Sequence, residues 1–412
     1  MKQHDVKEGR LDYCQICGSK NLFEGIDLGF QPSCDPLLTE ETIHNPETYY
    51  PLRLMICSEC GNGQLDYVIN KDIVYPMEYS YRPGISIPLR EHLERLADDV
   101  IEKNKLQPRD VVVDIGSNDG TLLLFFQKQG MYALGVEPTN MAKVANANGI
   151  DTIQKFFNID VALDIVEKYG RAKIITFTNV FAHMATLGEV MEGLTELLDE
   201  NGAIVSESQY LLDVFEGNQF DEIYHGHVRI YSLKSLVKLF SLYGLEVFDA
   251  ERILTREGSI KVSAGWKGTH GISPNVQKLL QAEETASLFD PQAWQKFRVR
   301  VETQKKHFLD LVHDFVRNGS LVADSCPTRG VVLLNYYGLK LPYVAQLPGT
   351  EKVGKYIPGT HTPIVSNEII LKDQPEYILI LAWHYSDYII KNWRAKGVKS
   401  KFIIPLPTFQ IV

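Results

Sequence analysis

Positive charge is in short supply in this sequence: 42 Lys and Arg stand against 52 Asp and Glu, a formal charge of −10. No segment gathers the basic residues that a phosphate backbone requires, which argues against nucleic acid as a partner. Long apolar runs are missing too. None reaches about 18 residues, so no membrane span is expected, and the N-terminus MKQHDVKEGRLDYC lacks the apolar centre of a secretion signal. The expectation is a cytoplasmic chain. Cysteine is scarce, six in 412 residues, and in a reducing compartment so few cysteines read as metal ligands before they read as disulfides. With 44% hydrophobic and 23% charged residues the chain is globular throughout, and its length exceeds a single hydrophobic core, which implies two or three domains of roughly 100 to 200 residues.

Four of the six cysteines fall in two copies of one pattern, CQICG at 14–18 and CSECG at 57–61. A two-residue gap followed by glycine lets the backbone turn so that two sulfurs face one tetrahedral ion, the glycine adopting dihedrals that other residues avoid. Cys14, Cys17, Cys57 and Cys60 are therefore expected to hold one structural zinc, with no coordination position left open for catalysis. A redox dithiol is the weaker alternative, because nothing thioredoxin-like surrounds either pair.

The middle of the chain alternates strands and helices. A helix from about residue 101 to 107 precedes the β-branched run Val111–Ile115, which ends in Gly116 and turns through Ser117, Asn118, Asp119 and Gly120 into an apolar helix. In a doubly wound α/β sheet this turn lies at the carboxyl end of the first strand, where cofactors dock. Glu137, followed by Pro138, closes the second strand and is placed to accept ribose hydroxyl protons. A dinucleotide fingerprint needs three spaced glycines and the turn has two. Asp119 would repel a pyrophosphate and attract the positive sulfonium and ammonium of S-adenosylmethionine. Further strands are expected at 173–178 and 202–209, then a polar helical stretch at 273–317, then a second α/β series with strands at 320–323, 331–336, 377–382 and 401–404.

Taken together, YSYRPGIS (79–86), VDIGSNDG (113–120), GVEP (135–138), NVFAH (179–183), FDEIYHGH (220–227), GKYIPGTH (354–361) and LAW (381–383) make this sequence resemble, end to end, the sugar C-methyltransferases. These are class I S-adenosylmethionine enzymes that methylate carbon in nucleotide-linked 4-keto-deoxysugars. The resemblance implies an α/β fold: a Rossmann-like methyltransferase domain at 76–270, flanked by a zinc-binding domain at 1–75 and a Rossmann-like nucleotide-sugar domain at 271–412. It places a catalytic base on His227, with His183 and Tyr224 lining the same site and Tyr79 or Tyr81 joining them. Asn179 falls on the cofactor side; His225, Arg329, Asn335, Lys355, His361 and His384 fall on the substrate side. The implied partner is a nucleotide-linked sugar, with the oligomeric state left open.

Departures from the family gather on that substrate side. Gly226 stands where the family's YHEH has Glu, removing a carboxylate beside the base. The glycine-rich YGAxAKG turn is here DSCPTRG (324–330), with Ser325 for Gly and Arg329 for Lys, and His384 replaces the usual Asn. Two alternatives stay open at this point: a methyltransferase of the same fold acting at oxygen or on another metabolite, and a cofactor-binding isomerase or binding protein that does not methylate.

Overall fold

The structure, a computed structural model, describes residues 8–74, 82–253, 258–318 and 320–412. Val112 and Val113 are wholly buried, as a strand covered on both faces requires, and their strand Val111–Ile115 lies inside a seven-stranded sheet. Tyr132–Val136 and Ala172–Thr178 pair with it in parallel, and Leu198–Gln209 pairs in parallel with Ala172–Thr178. Thr152–Ile153 closes one edge; the antiparallel hairpin Leu245–Ile253 and Ser259–Trp266 closes the other. Parallel pairing needs crossovers, and helices Thr121–Lys128, Met141–Ala147, Ile159–Tyr169 and Leu187–Leu197 supply them. The loops after Ile115, Thr178 and Gln209 consequently open side by side at the carboxyl edge.

The N-terminal sheet is antiparallel, in the order Arg229–Ile230, Gly63–Leu65, Tyr49–Cys57, Leu22–Pro32. Its edge strand comes from the far side of the chain: Arg229 pairs with Gln64 and Ile230 with Gly63. A Cβ on Gly63 would lie 2.9 Å from the Ile230 carbonyl, so this close approach needs glycine. The segment just beyond the FDEIYHGH motif is thereby fastened to the cysteine-bearing sheet. On the other edge, helix Pro291–Arg317 lies along Leu22–Pro32. Its Trp294 approaches Gly25, whose added Cβ would sit 3.2 Å from the ring, and its Arg298 donates to the Glu24 and Gly25 carbonyls at 2.7 and 3.1 Å.

The C-terminal sheet runs Ile364–Ser366, Val344–Gln346, Leu321–Asp324, Tyr377–Ile380, Lys401–Ile404, all parallel, with Gln410–Ile411 antiparallel at the end. One expected strand is a helix: residues 331–336 belong to helix Thr328–Tyr337. Val331, Val332, Leu333 and Leu334 are all buried, so this helix is covered on several sides, and a continuous apolar run has no periodicity by which to tell buried helix from buried strand. Among the described residues no helix is long and apolar enough to cross a membrane.

Candidate active site and metal centre

Both cysteine pairs form the turn that their spacing predicts. Gly18 and Gly61 take φ of 75° and 73°, and their amides donate to the Cys14 and Cys57 carbonyls at 2.8 and 2.9 Å. The four sulfurs lie within 4.8 Å of one another, Cys14 Sγ 3.4 Å from Cys60 Sγ and Cys17 Sγ 3.6 Å from Cys57 Sγ. Thiols crowded in this way share protons: hydrogen bonding from Cys14 holds Cys17 and Cys57 below the ordinary thiol range while Cys14 is pushed up. Four sulfurs at this spacing suit a tetrahedral zinc. The Ile16 amide also points to Cys14 Sγ at 3.4 Å, the kind of outer contact that holds a ligand in orientation.

In the turn after strand Val111–Ile115, Gly116 and Gly120 have φ of 73° and 78°. A Cβ on Gly116 would lie 2.5 Å from Val180 Cγ2, so the turn after the first strand touches the loop that carries Asn179 and His183. Asn118, itself at φ 49°, donates its amide to Glu137 at 3.0 Å, and Thr139 donates to the other carboxylate oxygen at 2.9 Å. Each oxygen keeps a further lone pair for a hydroxyl donor, so the set fits the ribose of S-adenosylmethionine. Asp119 accepts from Thr121 Oγ1 in its own loop at 2.6 Å and from the Gly84 amide, in the 3-10 turn Pro83–Ile85, at 3.1 Å. Ser117 Oγ lies against Gly135, where a Cβ would come within 2.4 Å of it. Asn179 accepts from Gln209 Nε2 at 3.3 Å and donates its amide to the Glu207 carbonyl at 2.7 Å. Beneath the turn, burial pushes the Asp114 carboxyl up to about 7, although Thr176 donates to it at 2.6 Å.

His183, Tyr224 and His227 come together as a cluster of three rings. The His227 centroid is 3.9 Å from Tyr224 and 4.7 Å from His183. His227 Nδ1 lies 2.8 Å from the Glu222 carbonyl oxygen. A carbonyl can only accept, so the neutral ring carries its proton on Nδ1 and presents the Nε2 lone pair, 2.7 Å from the Tyr224 hydroxyl that donates to it. His183 is fixed in the same sense by the Gly226 carbonyl, 2.6 Å from its Nδ1. His227 is 1% exposed while Tyr224 and His183 are half-buried, so those two rings form the outer part of the cluster. Tyr79 and Tyr81 lie outside the described residues.

The remaining substrate-side candidates are dispersed. Arg329 makes a two-pronged pair with Asp221, at 2.9 and 3.0 Å, and reaches Glu222 at 2.6 Å. Asn335 donates to the Val331 and Pro358 carbonyls. His361 pairs with Glu47 at 2.5 Å. Lys355 is half-buried beside the isolated bridge from Tyr356 to Leu38. His384 meets Trp383 edge-on at 5.9 Å and Tyr385 at 4.4 Å.

His225 faces away from its neighbour His227, with its ring edge-on to Tyr50 at 5.9 Å and Nε2 3.3 Å from the Pro51 carbonyl. Burial lowers it to about 4. The unfolded chain therefore takes up a proton that the native ring refuses, and stability should fall as pH drops from about 6.5 toward 4, by an amount on the order of 3 kcal/mol. Urea unfolding at pH 7 and pH 4.5 measures this; His225→Gln, which keeps an N–H for Pro51 without the charge, should lose distinctly less.

Glu222 and Asp221 were legible as acids in FDEIYHGH, but nothing in the sequence alone gave them a role. The only signal was the acid five residues before the histidine, a spacing that becomes informative once the 3-10 turn Phe220–Glu222 brings the two together.

Three family models match this chain: "Putative zinc binding domain" over residues 14–75, "Methyltransferase domain" over 89–250 and "C-methyltransferase C-terminal domain" over 255–407. The C-methyltransferase NovU of Streptomyces niveus is 32% identical over 408 residues, covering 98% of this chain and 97% of that protein. Among solved structures, magnesium protoporphyrin IX methyltransferase of Synechocystis with bound SAH is 14% identical, covering 43% of this chain and 83% of that one, with a TM-score of 0.34. An S-adenosylmethionine-dependent methyltransferase of Clostridium acetobutylicum is 12% identical, covering 43% and 92%, also with a TM-score of 0.34.

Proposed function

Because the chain belongs to the S-adenosylmethionine-dependent C-methyltransferases and carries their zinc-binding domain, we propose that it methylates a carbon beside the ketone of a nucleotide-linked keto-deoxysugar, with His227 as the base. The observation that carries this reading is the fixed tautomer of His227, whose Nε2 lone pair is aimed at the Tyr224 hydroxyl and accepts from it. A base must be neutral and aimed before it can act. Substrate takes the place of the Tyr224 hydroxyl on Nε2; the α-proton passes to Nε2, and the electron pair moves onto the ketone oxygen as an enolate. The displaced hydroxyl is then free to donate to that oxygen, a preorganised donor placed where charge develops. His183 borders the same space and, with Nδ1 committed to Gly226, can address substrate only through Nε2. S-adenosylmethionine supplies the electrophilic methyl when bound. Gly116 to Gly120, Glu137, Pro138 and Asn179 would hold it, and the close approach of Gly116 to Val180, in the loop of His183, supports this reading.

The sugar assignment rests on the ordered motif series from residues 79 to 383. The three-domain division and the substrate-side roles of Lys355, His361 and His384 belong to the same proposal. Incubating the zinc-loaded protein with methyl-labelled cofactor and a panel of nucleotide-linked ketosugars is expected to yield a product whose label is on carbon adjacent to the carbonyl. Turnover of non-nucleotide ketones alone would overturn the sugar assignment. Solvent deuterium should enter the same position only while His227 is intact.

A further inference from the structure

Beside the three rings, a set of buried charges joins the C-terminal segment to them. Arg329, in the first turn of helix Thr328–Tyr337, spends Nε and Nη2 on Asp221 and Nη1 on Glu222. Trp383 lies under the guanidinium at 4.5 Å and donates its own N–H to Asp221 at 2.8 Å. Glu222 in turn touches His227 twice: its carbonyl takes the Nδ1 proton, and its carboxylate lies 3.5 Å from the same nitrogen.

We infer that Arg329 is a positioning residue for His227, taking up the Glu222 carboxylate from another domain so that the imidazole remains a neutral base. The inference rests on the reading of His227 as base. A carboxylate in contact with imidazole favours imidazolium, and a protonated base is spent. Arg329 prevents this by charge and by geometry, because its planar fork is fixed between two acids and an indole. Bound in this way it is committed to the protein and turned from any phosphate, which also explains why arginine serves here. The other ionisable groups near His227 are His183 and Tyr224 on its open side. Arg229 is two residues on and bonds Gln15, Tyr231 and the Met184 carbonyl. His225 faces Tyr50. Arg329 is thus the one of these that offsets Glu222.

The test is an NMR pH titration of the His227 ring in the full-length zinc-loaded protein, assigned with His227→Gln. Arg329→Met is expected to raise the His227 midpoint by at least about half a pH unit. Arg329→Lys, which keeps the charge, should restore most of this. Glu222→Gln should move the midpoint down, and since it retains the Asp221 pair it reads the coupling even if Arg329→Met fails to fold. On a ketosugar that the wild type methylates, Arg329→Met should lower kcat by up to about threefold at pH 7 for a half-unit shift and move the acid limb of the rate profile upward, with the sugar KM little changed. The inference is overturned by a midpoint unmoved in Arg329→Met and Glu222→Gln, by a Lys variant as shifted as the Met variant, or by a KM increase with kcat intact, which would mark Arg329 as a phosphate contact. If the wild type turns over no ketosugar, the proposed function fails while the titration still decides the coupling.

Discussion

Replacing His227 by Gln is expected to lower methyl transfer by about 10²- to 10⁴-fold, the usual contribution of a positioned general base, while leaving equilibrium binding of S-adenosylhomocysteine unchanged. The separation follows from geometry. His227 touches Tyr224, His183 and Glu222, whereas the proposed cofactor cradle comprises the Gly116 turn and Glu137, which the Asn118 amide joins. Gln is the informative substitution because its amide can still donate to the Glu222 carbonyl and keep that buried acceptor satisfied. Ala removes the base but also leaves the carbonyl and the Tyr224 hydroxyl without this partner, so its loss of activity would mix chemistry with local collapse. A His227→Gln protein turning over within tenfold of wild type would remove the base from the mechanism.

Cys57→Ser, or extraction of the metal by a strong chelator, is expected to unfold the N-terminal sheet. Cys57 ends strand Tyr49–Cys57 and pairs with Leu22 at the start of the neighbouring strand, so losing its sulfur loosens the end of this strand pair from the metal. Structural zinc contributes on the order of 10 to 16 kcal/mol of apparent binding energy in small zinc domains, and this sheet shares its core with Trp294 of the long helix and with the C-terminal domain. The damage should therefore spread. Metal analysis ought to fall from one zinc per chain to none, and thermal unfolding should become broader and earlier. Arg229 pairs with Gln64 of the same sheet and donates to Gln15, so the segment carrying His227 loses its anchor and methyl transfer should fail with the metal. Retained zinc and an unchanged melting curve in Cys57→Ser would show that the four thiols are not a metal site.

How much of this could be read before folding depends on the range of the interaction. The cysteine turns and the Gly116 turn were legible because a few adjacent residues dictate them: a two-residue gap, a glycine at positive φ, an acid at a strand end. Residues 331–336 misled because a helix covered on several sides has no polar face to give it a period. The substrate-side residues were legible as motif members only. Arg329 carries the charge that its motif position calls for, yet that charge is used on Asp221 and Glu222. His225, two residues from the proposed base, belongs to the packing of the zinc-bearing sheet.

By itself the sequence determined the zinc-binding cysteine cluster, the class of the central sheet and the glycine turn after its first strand, because each is set by local covalent spacing and backbone sterics. Only the tertiary structure decided which way the three histidines of the two motifs face. It also gave Glu222 to His227 and Arg329 to Glu222. Those assignments depend on burial: in a dry interior every charge and every N–H must find a partner, and partners drawn from residues 221, 222, 329 and 383 meet only after three sheets have packed.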